Sequence, residues 1–234
     1  MSTMITYLLR QYVRSNRYFP PLAVLGLCLM MLYSMQPNPV LDSYAASAVM
    51  LFFISAWFCY GFGHTEHPYQ EMISIVHIKN PNLYFLSKLI AASVLIGISC
   101  LFVVLLPVLM QVFDRPVTWK DMLLGLIGHL ELAILAACIT ACFQSKGVGK
   151  RSVVLGGLVL TLILSLCQGA FLHNFPDWLL PLSWFIPPAY HVMDVLMNAG
   201  KRSNWDLYCV LLMTPVYIGA LVLVLLRLNS RHYR

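Results

Sequence analysis

HTEHPYQEMISIVHIKNPNLYFLSK, residues 64–88, is the one long polar interruption between hydrophobic runs in the first half of the chain. Read at 3.6 residues per turn, it takes its polar positions from Glu66, His67, Gln70, Glu71, Ser74 and His77. Tyr69, Met72, Ile73, Val76 and Ile78 take most of the remaining surface. Thr65 is placed to cap this helix, Pro68 fits its first turn, and Glu66 and Glu71 put negative charge near its positive end. Asn80-Pro81 stops it, because the residue before a proline is steered out of the helical region. A short amphipathic helix between two apolar runs fills a membrane interface, offers a soluble partner a handle, or merely connects.

Composition says which solvent surrounds it. Hydrophobic residues are 60% of the 234, charged residues 10%, and the mean hydropathy is +0.77. Soluble domains are closer to ~45–50% apolar and ~25% charged, so a polytopic all-α membrane protein is expected. The length holds about six spans of ~20 residues and leaves no room for a separate soluble domain, so residues 1–234 read as one transmembrane domain. Any soluble machinery is expected on another chain. The N-terminus lacks a small-residue cleavage site after its first apolar run, which Pro20-Pro21 opens, so that run is expected to remain as a span. All seven cysteines lie in apolar runs and read as small hydrophobes, with neither disulfide nor metal site expected.

The net charge of +6 invites a nucleic-acid reading, but its distribution points to membrane orientation instead. With both ends placed in the cytoplasm, the inner segments hold Arg10, Arg14, Arg17, Lys79, Lys88, Lys146, Lys150, Arg151, Arg227, Arg231 and Arg234. The outer ones hold only Arg115, Lys120, Lys201 and Arg202. This is the positive-inside pattern of a multi-pass protein of the cell membrane with both termini cytoplasmic.

In chain order, residues 2–18 read as an interfacial helix, with Met4, Ile5, Leu8, Leu9 and Tyr12 on one side and the three arginines on the other. Those arginines face anionic head groups or a soluble partner, or serve only to orient the chain. Spans are expected at about 19–35, 44–62, 83–113, 122–143, 152–172 and 206–226, with Pro107 kinking the third. The fourth carries Glu131, the one acid buried in an apolar run, close to mid-membrane. An ionisable group there is costly, so it reads as functional; a hydrogen bond to a neighbouring span, or a retained proton, is the alternative. His129 points to nearly the opposite face of that helix. The loop SKGVGKRS fails as a phosphate loop: Gln144 stands where the first glycine belongs, and Arg151 follows Gly149-Lys150 where Ser or Thr is needed. Between the last two spans, Pro176, Pro181, Pro187 and Pro188 break an apolar stretch into half-helices, with Trp178 and Trp184 as interface anchors. From Ala189 to Ala199 the pattern is amphipathic, His191, Asp194 and Asn198 sharing one face. We expect residues 181–199 to dip back from the outer surface and close the exit of a cavity between two copies of the chain.

A basic amphipathic N-terminus, six spans, a surface helix between spans 2 and 3 and half-helices between spans 5 and 6 together resemble the integral membrane subunit of type-2 ATP-binding-cassette (ABC-2) exporters. The local matches are Ile78-Lys79-Asn80-Pro81-Asn82-Leu83-Tyr84-Phe85-Leu86-Ser87-Lys88-Leu89, which looks like that family's coupling-helix exit, and Leu180-Pro181 to Leu196, which looks like its outer proline-rich segment. The resemblance implies a dimer of this chain, or a pairing with a paralogous permease, joined to cytoplasmic ATPase subunits that hold ATP and Mg. Nucleotide-driven motion would enter through Glu66, Gln70, Glu71, Ser74 and His77, and a hydrophobic or amphipathic peptide, drug or lipid-like molecule would leave between the copies. The competing functions are the substrate-binding membrane component of a vitamin importer, which the outer half-helices fit less well, and an intramembrane enzyme. For the enzyme, His64, Glu66 and His67 lack the His-Glu-x-x-His order of a zinc site.

Overall fold

The computed structural model describes residues 1–145, 151–174, 185–199 and 203–232. Among them there is no strand, only a lone bridge between Asn38 and Phe113. The helices are α1 (Ser2–Arg14), α2 (Phe19–Leu32), α3 (Val40–Gly63), α4 (Pro68–Ile78), α5 (Pro81–Leu109), α6 (Trp119–Phe143), α7 (Arg151–Asn174), α8 (Ala189–Asn198) and α9 (Asn204–His232). Five of them, α3, α5, α6, α7 and α9, contain stretches long and apolar enough to cross a membrane, and the chain is a multi-pass membrane protein. The run expected as the first span forms only the 14 residues of α2, which ends at Leu32 rather than Met35. At about 1.5 Å per residue it rises roughly 21 Å, short of the ~30 Å hydrocarbon layer.

α3 and α6 form the centre. About two thirds of the apolar window of each is buried, 61% and 67%, against 28% for α7 and 11% for α9, so the last two helices are the periphery. In lipid, helices associate through close packing rather than through exclusion of water, and small residues permit the approach. On α6, Gly125 lies under the Tyr44 ring of α3, where an added Cβ would come within 2.9 Å of Cδ2. One turn on, Gly128 lies under Leu196 of α8, with 2.8 Å left to Cδ1. The two ends of the bundle differ. At one, Thr118 and Asp121 close a capping box at the start of α6, Thr118 Oγ1 donating to Asp121 Oδ2 at 2.7 Å, and Arg115 reaches the same carboxylate oxygen at 2.6 Å. The Asn38 and Asp114 amides bind back to the Val112 and Asn38 carbonyls, clasping the α2–α3 and α5–α6 connections together. At the other end α1, α4, the close of α6 and the close of α9 meet.

Candidate functional site

α4 is held at that second end by a polar latch. Its N-cap is His67, not Thr65, whose hydroxyl instead donates to the Gly61 carbonyl at 3.0 Å; the His67 amide donates to Gln70 Oε1 at 3.4 Å. Lys79 ends the helix in the left-handed region at φ 58°, and Asn80 then caps α5, its Oδ1 accepting from the Asn82 and Leu83 amides with Pro81 in the first turn. This tight join drops α4 against the first turns of α5. There the Lys88 ammonium lies 3.8 Å from Glu66 Oε2 and 3.9 Å from Glu71 Oε2, and it donates to the Gly63 carbonyl at 3.4 Å. The Tyr84 hydroxyl donates to Glu66 Oε2, and the Lys88 ammonium sits 5.4 Å from the Tyr84 ring centre. The Glu66 side chain has no exposed surface, and Lys88 retains only 13%.

The two acids thus face the bundle, while other polar positions of the segment stay open. Gln70 and His77 are exposed and Ser74 half-buried, and the apolar Tyr69, Ile73 and Val76 are open as well, 73%, 69% and 75% exposed. Beside α4, α1 completes the surface. Gln11 donates to Gln70 Oε1 at 3.3 Å, Arg17 donates to the His64 carbonyl, and Tyr12 stacks on Phe62 with ring centres 4.9 Å apart. Burial pushes the Tyr12 phenol up to about 12, and burial with the nearby Glu66 carboxylate pushes Tyr7 upward, so both stay neutral at physiological pH. Gln144, singled out only for failing a phosphate-loop pattern, ties the close of α6 to α3 by donating to the Tyr60 carbonyl at 2.9 Å.

The intramembrane pair falls apart as its spacing requires. His129 is fully buried between α3 and α6, with Nε2 2.9 Å from Ser47 Oγ, Nδ1 2.6 Å from the Gly125 carbonyl, and its ring edge-on to Tyr44. It is a packing histidine with both nitrogens used. Glu131 is the midpoint of α6, is 8% exposed, and its Oε2 is buried with no hydrogen-bond partner among the described residues.

At the opposite end, Pro181 lies outside the described residues, as do Trp178 and Trp184. Pro187 and Pro188 are buried, and the Pro187 carbonyl accepts from Ser165 Oγ at 2.8 Å, which fixes the entry to α8 against α7. Val192, Val195 and Leu196 have no exposed surface. His191, Asp194 and Asn198 are half-buried on the remaining side, Asn198 donating to Asp194 Oδ1 at 2.7 Å.

The fold and this latch define a helical multi-pass membrane protein with a short helix braced on its surface. Protein-family models, curated proteins and solved structures yield no match to the chain.

Proposed function

We propose that the chain is the transmembrane subunit of an ATP-driven ABC-2 type exporter, forming the path for a hydrophobic or amphipathic substrate. One observation carries the reading: α4 is braced on α5 through Glu66, Glu71, Tyr84 and Lys88 while its outward face is left open. A helix so held is a stiff lever. A load applied at Tyr69, Ile73 or Val76 passes to the start of α5 through the latch, and to α3 through the four residues from His64 to His67.

In this reading the load comes from a separate cytoplasmic ATPase that carries ATP and Mg. The α4 end and both termini face the cytoplasm, α2 serves as a short sixth span that the bilayer meets by thinning, and α8 returns from the outer surface as a gate with Pro187, Pro188, His191, Asp194 and Asn198. The sparsely buried α7 and α9 leave surface for lipid and for a second copy or a paralogous permease. Co-expression with a stand-alone ATPase encoded beside this gene tests the proposal. The tagged chain is expected to retain the ATPase, and Ile73→Glu to lose it without lowering the yield of the chain. Failure of the parent to retain any ATPase, or retention and hydrolysis unchanged in Ile73→Glu, would overturn the reading.

A further inference from the structure

Behind the latch lies a cavity of about 90 Å³, lined by Glu71 and Lys88, by Gln144 and Ser145 at the close of α6, and by Asn229 near the end of α9; Phe85 and Leu89 contribute to its apolar wall. The volume decides what class of occupant fits. A single water needs ~10–15 Å³ on this measure and a drug-sized ligand ~300 Å³ or more, so the space suits a group of a few heavy atoms and not the cargo of an exporter.

Two polar atoms of its lining are buried without a partner among the described residues. Asn229 is 1% exposed; its Nδ2 donates to the Leu225 carbonyl at 3.0 Å, which fixes the amide orientation and leaves Oδ1 buried without a partner among the described residues. Ser145 is 6% exposed, and its Oγ is likewise buried with no partner among the described residues. A buried polar atom without a partner is costly, so an occupant that supplies N–H or O–H groups is favoured. Charge does not oppose a cation there, since among the described lining residues the Glu71 carboxylate balances the Lys88 ammonium. The cavity lies among the terminal turns of α3, α5, α6 and α9, which in a membrane-spanning bundle is head-group depth.

We propose that this cavity binds a primary alkylammonium group, with Asn229 Oδ1, Ser145 Oγ and the Glu71 carboxylate as its acceptors. An –NH₃⁺ carries three donors for these three groups, and a short alkyl stem fits the apolar wall. The chemistry is shared by the ethanolamine head of a phospholipid and by a soluble amine. A choline head, whose quaternary nitrogen has no N–H, is the matched control. The inference is independent of the exporter reading.

The full chain in nanodiscs of mixed ethanolamine and choline phospholipid, examined by native mass spectrometry, tests it. Ethanolamine lipid is expected to be retained about fivefold or more over choline lipid, the ratio that one hydrogen bond supplies. Asn229→Leu and Ser145→Ala should abolish the preference. In pure choline-lipid discs, ethanolammonium is expected to raise the unfolding midpoint of the parent and not of either variant. A lipid preference alone assigns the membrane source, and a thermal shift alone assigns a soluble amine. Equal retention with no shift, or a preference that survives both substitutions, would leave a water-filled cavity and overturn the proposal. Ser145→Ala removes one atom and keeps the test readable should Asn229→Leu fail to assemble.

Discussion

α4 and α8 are short amphipathic helices of nearly equal length, 11 and 10 residues, and the bundle treats them in opposite ways. α8 sinks its apolar side into α3, α6, α7 and α9 and keeps its polar residues at the edge. α4 turns Glu71 inward and leaves Tyr69, Ile73 and Val76 open. An amphipathic pattern therefore does not fix orientation in a protein whose own surroundings are apolar. What decides is the partner available within reach: Gly128 of α6 leaves room for Leu196, whereas Lys88 of α5 offers a cation to Glu66 and Glu71.

If that account holds, the largest effect comes from removing the cation. Lys88→Met strands a carboxylate with no exposed surface and should lower stability by about 3 kcal/mol, the lower end of the range for orphaning a buried charge because Lys88 keeps some contact with solvent. The double variant Glu66→Gln/Lys88→Met should recover more than half of the loss, since Tyr84 can still donate to the amide oxygen. Additive losses in the unfolding midpoint would break the latch. Leu196→Ala in α8 should cost about 1–3 kcal/mol, less than in a soluble core: lipid is as apolar as the lost methyls, so mainly the vacated packing counts. Ile73→Ala in α4 should stay within about 0.5 kcal/mol of the parent, because the side chain is 69% exposed. Equal costs at Leu196 and Ile73 would erase the contrast. A smaller gain sharpens it: Lys79→Gly relieves the left-handed residue at the α4–α5 join and should stabilise by up to about 1 kcal/mol, if the join is as tight as its φ requires.

The long apolar runs of α3, α5, α6, α7 and α9 were legible because a membrane span is written locally, in ~20 consecutive residues. So were the existence of α4 and its near boundaries, from the polarity of residues 64–80. Its orientation was not, since the Glu66–Lys88 contact joins residues on two helices whose relative placement depends on the Lys79 turn. The same holds for Ser47 and His129, 82 positions apart, a pairing that settles His129 as a core residue. Thr118-x-x-Asp121 was a readable capping signal and went unread under the apolar pattern that follows it. Pro107, expected to kink the third span, stands inside α5 in its last turn.

Single cysteines at Ile73, Val76 and Val195 in a cysteine-free background, labelled with a membrane-impermeant thiol reagent in inside-out and right-side-out vesicles, test the central claim directly. The account predicts that Ile73 and Val76 label only in inside-out vesicles and are shielded once the ATPase is bound, while Val195 stays unlabelled in both. Labelling of Ile73 and Val76 from the outside, from neither side, or undiminished by the ATPase would contradict it, as would labelling of Val195 as fast as Ile73.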